Sequence, residues 1–133
     1  MITITKEFTF ASAHRLLNHE GSCKNLHGHN YKLIVEITGP LDTGEASSSF
    51  GMVMDFKKFK GIVWERILDR LDHHYLNDIF ASDAPTAENM VAWIAGILES
   101  SFSLHHLKLI RVVLYETDTS YATWYNTKLR SKK

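Results

Sequence analysis

At 133 residues, 44% of them hydrophobic, the chain has material for one ordinary core and too little for two comfortable domains. Fifteen basic and fifteen acidic side chains cancel, so no overall field draws it to nucleic acid or to an anionic membrane, and a small ligand is expected. The single cysteine cannot form an internal disulfide, which fits a reducing compartment; the N-terminus alternates instead of forming an apolar signal core, and no run approaches the ~18 apolar residues of a membrane helix, so a cytoplasmic protein is expected.

From Ile2 to His14 the even positions carry Ile2, Ile4, Lys6, Phe8, Phe10, Ser12 and His14, while the odd ones are mostly Thr, Glu and Ala. That period of two predicts a half-buried strand with His14 on the face of Phe8 and Phe10, provided no bulge interrupts it. A loop from Arg15 to Gly21 leads to a second strand, about Leu26 to Thr38, whose odd positions His27, His29, Tyr31, Leu33, Val35 and Ile37 share one face. Hairpin neighbours run antiparallel, so the end of the first strand lies beside the start of the second and His14 falls near His27 and His29. Alone, His14 reads as a core histidine with a satisfied hydrogen bond. With three imidazoles converging, a metal site is the better reading, because neutral imidazole is a common zinc ligand and three of them leave a coordination position open. Cys23, four residues before His27, is close enough to act on whatever the metal binds.

Gly39-Pro40 ends the second strand, and Asp42 to Gly51, with three serines, reads as a mobile loop. Asp55 is the expected N-cap of a helix in which Phe56, Phe59, Val63, Ile67 and Leu71 form the core face. The helix stops near Leu71-Asp72-His73-His74-Tyr75-Leu76-Asn77, where Asp72 beside His73 can hold one tautomer and raise the basicity of the ring; locally, an exposed polar helix end explains the same residues. Pro85-Thr86-Ala87-Glu88-Asn89 opens a second helix, with Thr86 as N-cap, Glu88 complementing the helix dipole, and Val91, Ile94, Leu98 and Phe102 as the buried stripe. His105 and His106 read as a polar turn. A third strand, about Lys108 to Thr117, sets Ile110, Val112, Leu114 and Glu116 on one face, so that Glu116 puts a carboxylate at the end of an apolar row, where it needs a partner or a ligand. A fourth strand spans Tyr121 to Tyr125.

The order ββααββ predicts an α+β domain over residues 1–126, a four-stranded antiparallel sheet with two helices on one face, followed by a frayed basic tail at 127–133. Its open sheet edges call for association.

Five ordered blocks, Phe10-Ala-Ser-Ala-His14, Cys23-x-x-x-His27-Gly-His29, Leu71-Asp72-His73-His74-Tyr75-Leu76-Asn77, Pro85-Thr86-Ala-Glu88-Asn89 and Tyr115-Glu116-Thr117, resemble the 6-pyruvoyltetrahydropterin synthase family, and within it the bacterial and archaeal 6-carboxytetrahydropterin synthases of the queuosine pathway. The blocks run from residue 10 to about 122, nearly the whole domain. What the resemblance implies is the tunnelling fold (T-fold), with subunits joined into a trimeric barrel, two barrels stacked as a homohexamer, and active sites between subunits. By motif position, His14, His27 and His29 would hold Zn2+, Cys23 would be the catalytic thiol, and Asp72 with His73 would transfer protons. Glu116 would anchor the pterin, with Thr86 and Glu88 nearby. The substrate implied is 7,8-dihydroneopterin triphosphate, and the products 6-carboxy-5,6,7,8-tetrahydropterin, acetaldehyde and triphosphate. Arg15 and Lys24 are the nearest cations by sequence for the triphosphate. The competing readings are a 6-pyruvoyltetrahydropterin synthase acting on the same substrate and a zinc- or pterin-binding module without turnover. A free thiol beside a metal site argues against the module.

Overall fold

The computed structural model describes residues 1–81 and 84–130. Its centre is one antiparallel sheet in the order β1 (Thr3–His14), β2 (His27–Thr38), β3 (Lys108–Thr117) and β4 (Ser120–Tyr125). Period two governs the long hairpin without interruption: Phe8 faces Leu33, Phe10 faces Tyr31, Ser12 faces His29 and His14 faces His27. The expected convergence of the three histidines therefore follows from register alone.

One face of the sheet carries the core. Phe8, Phe10, Tyr31, Leu33, Val35, Ile37, Leu109, Val112 and Leu114 pack there against the helices. In β3 the expected apolar row is shifted at its start: a bulge opposite Glu36 and Ile37 leaves Ile110 half-buried and unpaired, and Leu109 takes the core position. The opposite face is a polar ladder, where the Glu36 carboxylate accepts from Thr3 Oγ1 at 2.9 Å and from Arg111 Nε at 3.1 Å, and Lys32 meets Glu7 at 3.3 Å.

The first helical stretch comprises α1 (Phe56–Val63), a π-helical turn at Trp64–Leu68 and α2 (Asp69–Leu71). Its apolar residues Phe59, Val63, Ile67 and Leu71 recur every fourth position, and in a regular α-helix each such step drifts by about 40° around the axis. The wider π turn takes up that drift, and all four side chains are fully buried. Asp55 caps α1 by accepting the Lys57 N–H at 2.7 Å. Phe56, expected in the core stripe, is instead exposed, because it occupies the first position of α1 at the rim of the layer. A short helix unmarked by any apolar period, α3 (Leu76–Ile79), precedes α4 (Ala87–Ser103), which Thr86 caps by accepting the Asn89 N–H and which buries Val91, Ile94, Leu98 and Phe102 as expected.

The loop expected to be mobile is instead a hydrogen-bonded unit built on Asp42. Its carboxylate accepts from Ser47 and Ser49 Oγ, both at 2.6 Å, and from the Gly44 N–H, and these bonds hold it down to about 2. Residues Thr127–Arg130 form a 3-10 turn, and the rest of the expected frayed tail lies outside the described residues. Among the described residues no helix is long and apolar enough to cross a membrane.

The two phenylalanines at the start of α1 separate core from rim. Phe59, packed edge-to-face on Phe102 at 5.4 Å, should cost about 3–5 kcal/mol when truncated to Ala. Phe56→Ala should cost less than about 1 kcal/mol, as expected of an exposed side chain. Urea unfolding of both variants checks this, and equal losses would contradict the placement.

Candidate metal centre and active site

Three imidazoles meet where β1 ends and β2 begins. His14, His27 and His29 present ring nitrogens that all lie within 4.8 Å of one another, and their rings stand edge-on with centroids 4.5 to 5.0 Å apart. His14 is fully buried, the other two half-buried.

The outer nitrogens explain how the inner ones are used. His14 Nδ1 lies 2.8 Å from the Pro85 carbonyl and His27 Nδ1 lies 2.7 Å from the Asn25 carbonyl. A carbonyl oxygen can only accept, so each Nδ1 carries the proton and each Nε2 presents a lone pair. The two Nε2 atoms lie 2.9 Å apart, so when both rings are neutral their lone pairs face each other, an arrangement that a cation held between them relieves. His29 Nε2 is buried and has no hydrogen-bond partner, a cost that a ligated cation removes. Three imidazoles whose ring nitrogens converge in this way fit a divalent transition metal. Consistent with this, the His29 pKa lies below its ordinary value, chiefly through burial, with Glu116 opposing and the neighbouring His14 and His27 adding to the depression.

Beneath the cluster, Tyr31 stacks on Phe10 at 4.9 Å, with its hydroxyl 3.5 Å from His14 Nδ1. Burial, then the Glu116 charge, raises its pKa well above the ordinary phenol value, so it is a neutral floor.

The segment after α2 docks on the free edge of β1. Ala11 N–H donates to Asp72 Oδ1 at 3.0 Å, His73 N–H donates to the Ala11 carbonyl at 2.6 Å, and Ala13 N–H donates to the His74 carbonyl at 3.2 Å. A parallel bridge between Ala13 and Tyr75 continues the pairing, and Ser12 Oγ donates to the Leu71 carbonyl. His73 adopts φ 57°, in the left-handed region that a side chain enters at a cost, and its main-chain bond to Ala11 holds it there. Its Nδ1 then lies 3.0 Å from Asp72 Oδ1, while the ring stays exposed. The Asp72 carboxyl is held below its ordinary value, first by the Ala11 N–H and, against opposing desolvation, by the hydrogen bond and charge of His73. Asp72 and His73 thus form a joined carboxylate–imidazole pair.

Glu116, at a bulge between Tyr115 and Thr117, brings Oε1 to 3.8 Å from His29 Nε2. Cys23 is half-buried in the single turn Ser22–Lys24 just before β2. Thr86 spends its hydroxyl on capping α4, and Glu88 is exposed on the first turn of that helix. Two cavities adjoin the cluster. One of about 490 Å³ is lined by Ser12, His29, His73 and Tyr75, the other, of about 650 Å³, by Arg15, His19, Tyr75, Asn77 and Thr86. The Arg15 guanidinium also donates through Nε to the Lys24 carbonyl at 3.2 Å. One chain thus gathers His14, His27, His29 and Glu116 in one cluster and the Asp72–His73 pair on the adjoining cavity, while Cys23, Glu116 and Glu88 line neither cavity.

Sequence reasoning missed the groups that orient this site: the carbonyls of Asn25 and Pro85, the Ala11 N–H and the Asn77 amide. Main-chain groups leave no signature in side-chain patterns. Asn77 and Pro85 lay inside recognised blocks, and that membership was the available signal.

The donor set predicts about one metal ion per chain. His27→Ala should lose most of it, whereas His105→Ala, at the remote exposed turn, should keep it. Elemental analysis after dialysis measures both, and full retention by His27→Ala would contradict the centre.

The family model described as 6-pyruvoyl tetrahydropterin synthase matches residues 3–127. The 6-carboxy-5,6,7,8-tetrahydropterin synthase of Synechocystis sp. is 39% identical over 132 residues, covering 97% of each chain. The protein of that name from Haemophilus influenzae is 50% identical over 78 residues, 59% of this chain and 54% of the other. Among solved structures, the 6-pyruvoyl tetrahydropterin synthase of Caenorhabditis elegans superposes with a TM-score of 0.78 at 28% identity, covering 94% of this chain and 95% of that one.

Proposed function

The chain belongs to the 6-pyruvoyl tetrahydropterin synthase family, and from that premise we propose that it is a zinc-dependent 6-carboxy-5,6,7,8-tetrahydropterin synthase, a lyase converting 7,8-dihydroneopterin triphosphate to the carboxy product, acetaldehyde and triphosphate in 7-deazapurine (queuosine) synthesis. The observation that carries the reading is the convergence of ring nitrogens from three histidines within 4.8 Å of one another, near a joined carboxylate–imidazole pair, in a chain with one free thiol. A 6-pyruvoyl synthase is the alternative. The relatives from Synechocystis and Haemophilus influenzae, whose names carry the carboxy product, are both more similar to this chain than the Caenorhabditis elegans pyruvoyl structure, which favours the first reading.

In this reading His14, His27 and His29 hold the ion. When bound, zinc supplies a Lewis acid that polarises side-chain oxygens of the substrate and makes neighbouring carbon-bound protons acidic. Cys23, as thiolate, removes such a proton. Asp72 accepts the Nδ1–H of His73 and fixes its tautomer, so that the exposed Nε2 is free to take up and return a proton. Glu116, an acceptor-only group, takes the paired N–H donors of the pterin edge, and Thr86 and Glu88, at the start of α4, are the further substrate-binding residues of this reading. The edge of β4 and the N-terminal half of the β1 edge, which residues 72–75 leave uncovered, support joining of subunits through their sheets into a trimeric barrel and, by stacking, a homohexamer, with partner chains completing each site.

Incubating the zinc-loaded protein with 7,8-dihydroneopterin triphosphate and weighing the products tests the reading. A carboxytetrahydropterin mass with acetaldehyde supports it, and a pyruvoyl mass selects the alternative. Cys23→Ala should retain zinc and fold while losing turnover by at least about 100-fold, the scale of a lost proton-transfer group.

Glu116→Gln should weaken pterin binding with zinc occupancy unchanged, because the amide keeps the shape, loses the charge and turns one acceptor into a donor. A loss of roughly 2 kcal/mol, about thirtyfold in affinity, is the scale of a charge-assisted pair. Calorimetric titration of a pterin measures it, and equal affinities would give Glu116 another role.

A further inference from the structure

The connection between His14 and His27 is twelve residues long, far beyond the two to five residues of a tight hairpin, so the strand pairing does not by itself fix where Cys23 lies. Its neck is closed by side-chain and main-chain bonds. Asn77 Oδ1 accepts the Arg15 N–H at 2.8 Å, and Asn77 Nδ2 donates to the Arg15 carbonyl at 2.9 Å. One residue on, the Leu16 N–H donates to the Cys23 carbonyl at 2.8 Å, and Arg15 Nε donates to the Lys24 carbonyl at 3.2 Å.

Asn77 thus treats Arg15 as a neighbouring strand would, satisfying both of its main-chain groups. Arg15 directly follows the buried His14, and Leu16 is bonded directly to the residue that bears the thiol. Asn77 is itself held in place. It belongs to α3, whose Leu76 is fully buried and whose Leu76 carbonyl accepts the Phe80 N–H at 2.9 Å. That helix follows the segment carrying Asp72 and His73, so one short stretch supports both the carboxylate–imidazole pair and the loop that carries Cys23.

We infer that Asn77 is a positioning residue: its amide clamps the main chain of Arg15 and thereby holds Cys23 at a fixed place relative to the three imidazoles. The inference rests on the reading of Cys23 as the reacting thiol. Without the clamp, water can satisfy the Arg15 main chain, and the neck loses its tie to α3. The imidazoles keep their own supports from Pro85 and Asn25, so metal binding does not depend on Asn77.

The zinc-loaded wild type, Asn77→Ala, Asn77→Asp and Asn126→Ala test this. Asn126 is the stability control, since its amide donates to the Leu109 carbonyl at 2.8 Å at the far end of the sheet. For each protein one measures zinc content, thermal midpoint, kcat and KM on dihydroneopterin triphosphate, and the rate of alkylation by iodoacetamide, which reports on Cys23 alone because the chain has one cysteine. Asn77→Ala should keep its zinc and alkylate faster than wild type. Its kcat should fall by on the order of tenfold to a hundredfold with KM little changed, the scale for a misplaced reacting group. Asn77→Asp keeps the acceptor for the Arg15 N–H and loses the donor, so its values should fall between. If Asn77→Ala matches Asn126→Ala in alkylation and kcat, Asn77 only stabilises the fold and the inference is wrong. If Asn77→Ala does not fold, Asn77→Asp carries the same comparison. If the wild type forms no tetrahydropterin product, the reading of the reaction fails, while unchanged or accelerated alkylation still decides against or for the clamp.

Discussion

The register of β1 on β2 is the constraint from which the rest of the structure takes its position. Pairing Phe8 with Leu33 and Phe10 with Tyr31 to bury one face commits the chain to setting Ser12 opposite His29 and His14 opposite His27. A one-residue slip would move the core row and the histidine row to the wrong face together. The same apolar contacts that stabilise the sheet therefore bring the three imidazoles together, and the cost of crowding them at its end is met by burial along its length. Backbone carbonyls from two unrelated segments, at Asn25 and Pro85, then fix the tautomers.

Around that centre the edge of β1 is put to a second use. Its C-terminal half receives residues 72–75 as a short extra strand, so that an otherwise open edge becomes the support of the Asp72–His73 pair. The left-handed backbone of His73 is sustained by this docking, which turns its side chain out to the exposed mouth while Nδ1 stays on the carboxylate.

Much of this was legible before any coordinates. The strand periods gave the hairpin, its faces and the convergence of His14, His27 and His29, and the caps Asp55 and Thr86 gave both helix starts. What escaped was of several physical kinds. Bulges, as at Ile110, change a strand's face without altering its composition. Side-chain hydrogen bonding turned a serine-rich stretch into an ordered unit around Asp42. Terminal position left Phe56 outside the layer despite correct spacing, and the π turn that keeps Phe59, Val63, Ile67 and Leu71 aligned was implicit in their fourfold spacing without being read there. The placement of Cys23 depends on a long loop and on Asn77, neither of which any periodic pattern describes.

X-ray absorption at the metal edge of the purified protein tests the central claim most directly, because it distinguishes a three-imidazole centre that leaves the thiol free from a structural site that uses the thiol. The account predicts a first shell of nitrogen and oxygen alone, at about 2.0–2.1 Å, with imidazole scattering behind it. A sulfur neighbour at about 2.3 Å would make Cys23 a ligand and contradict the account.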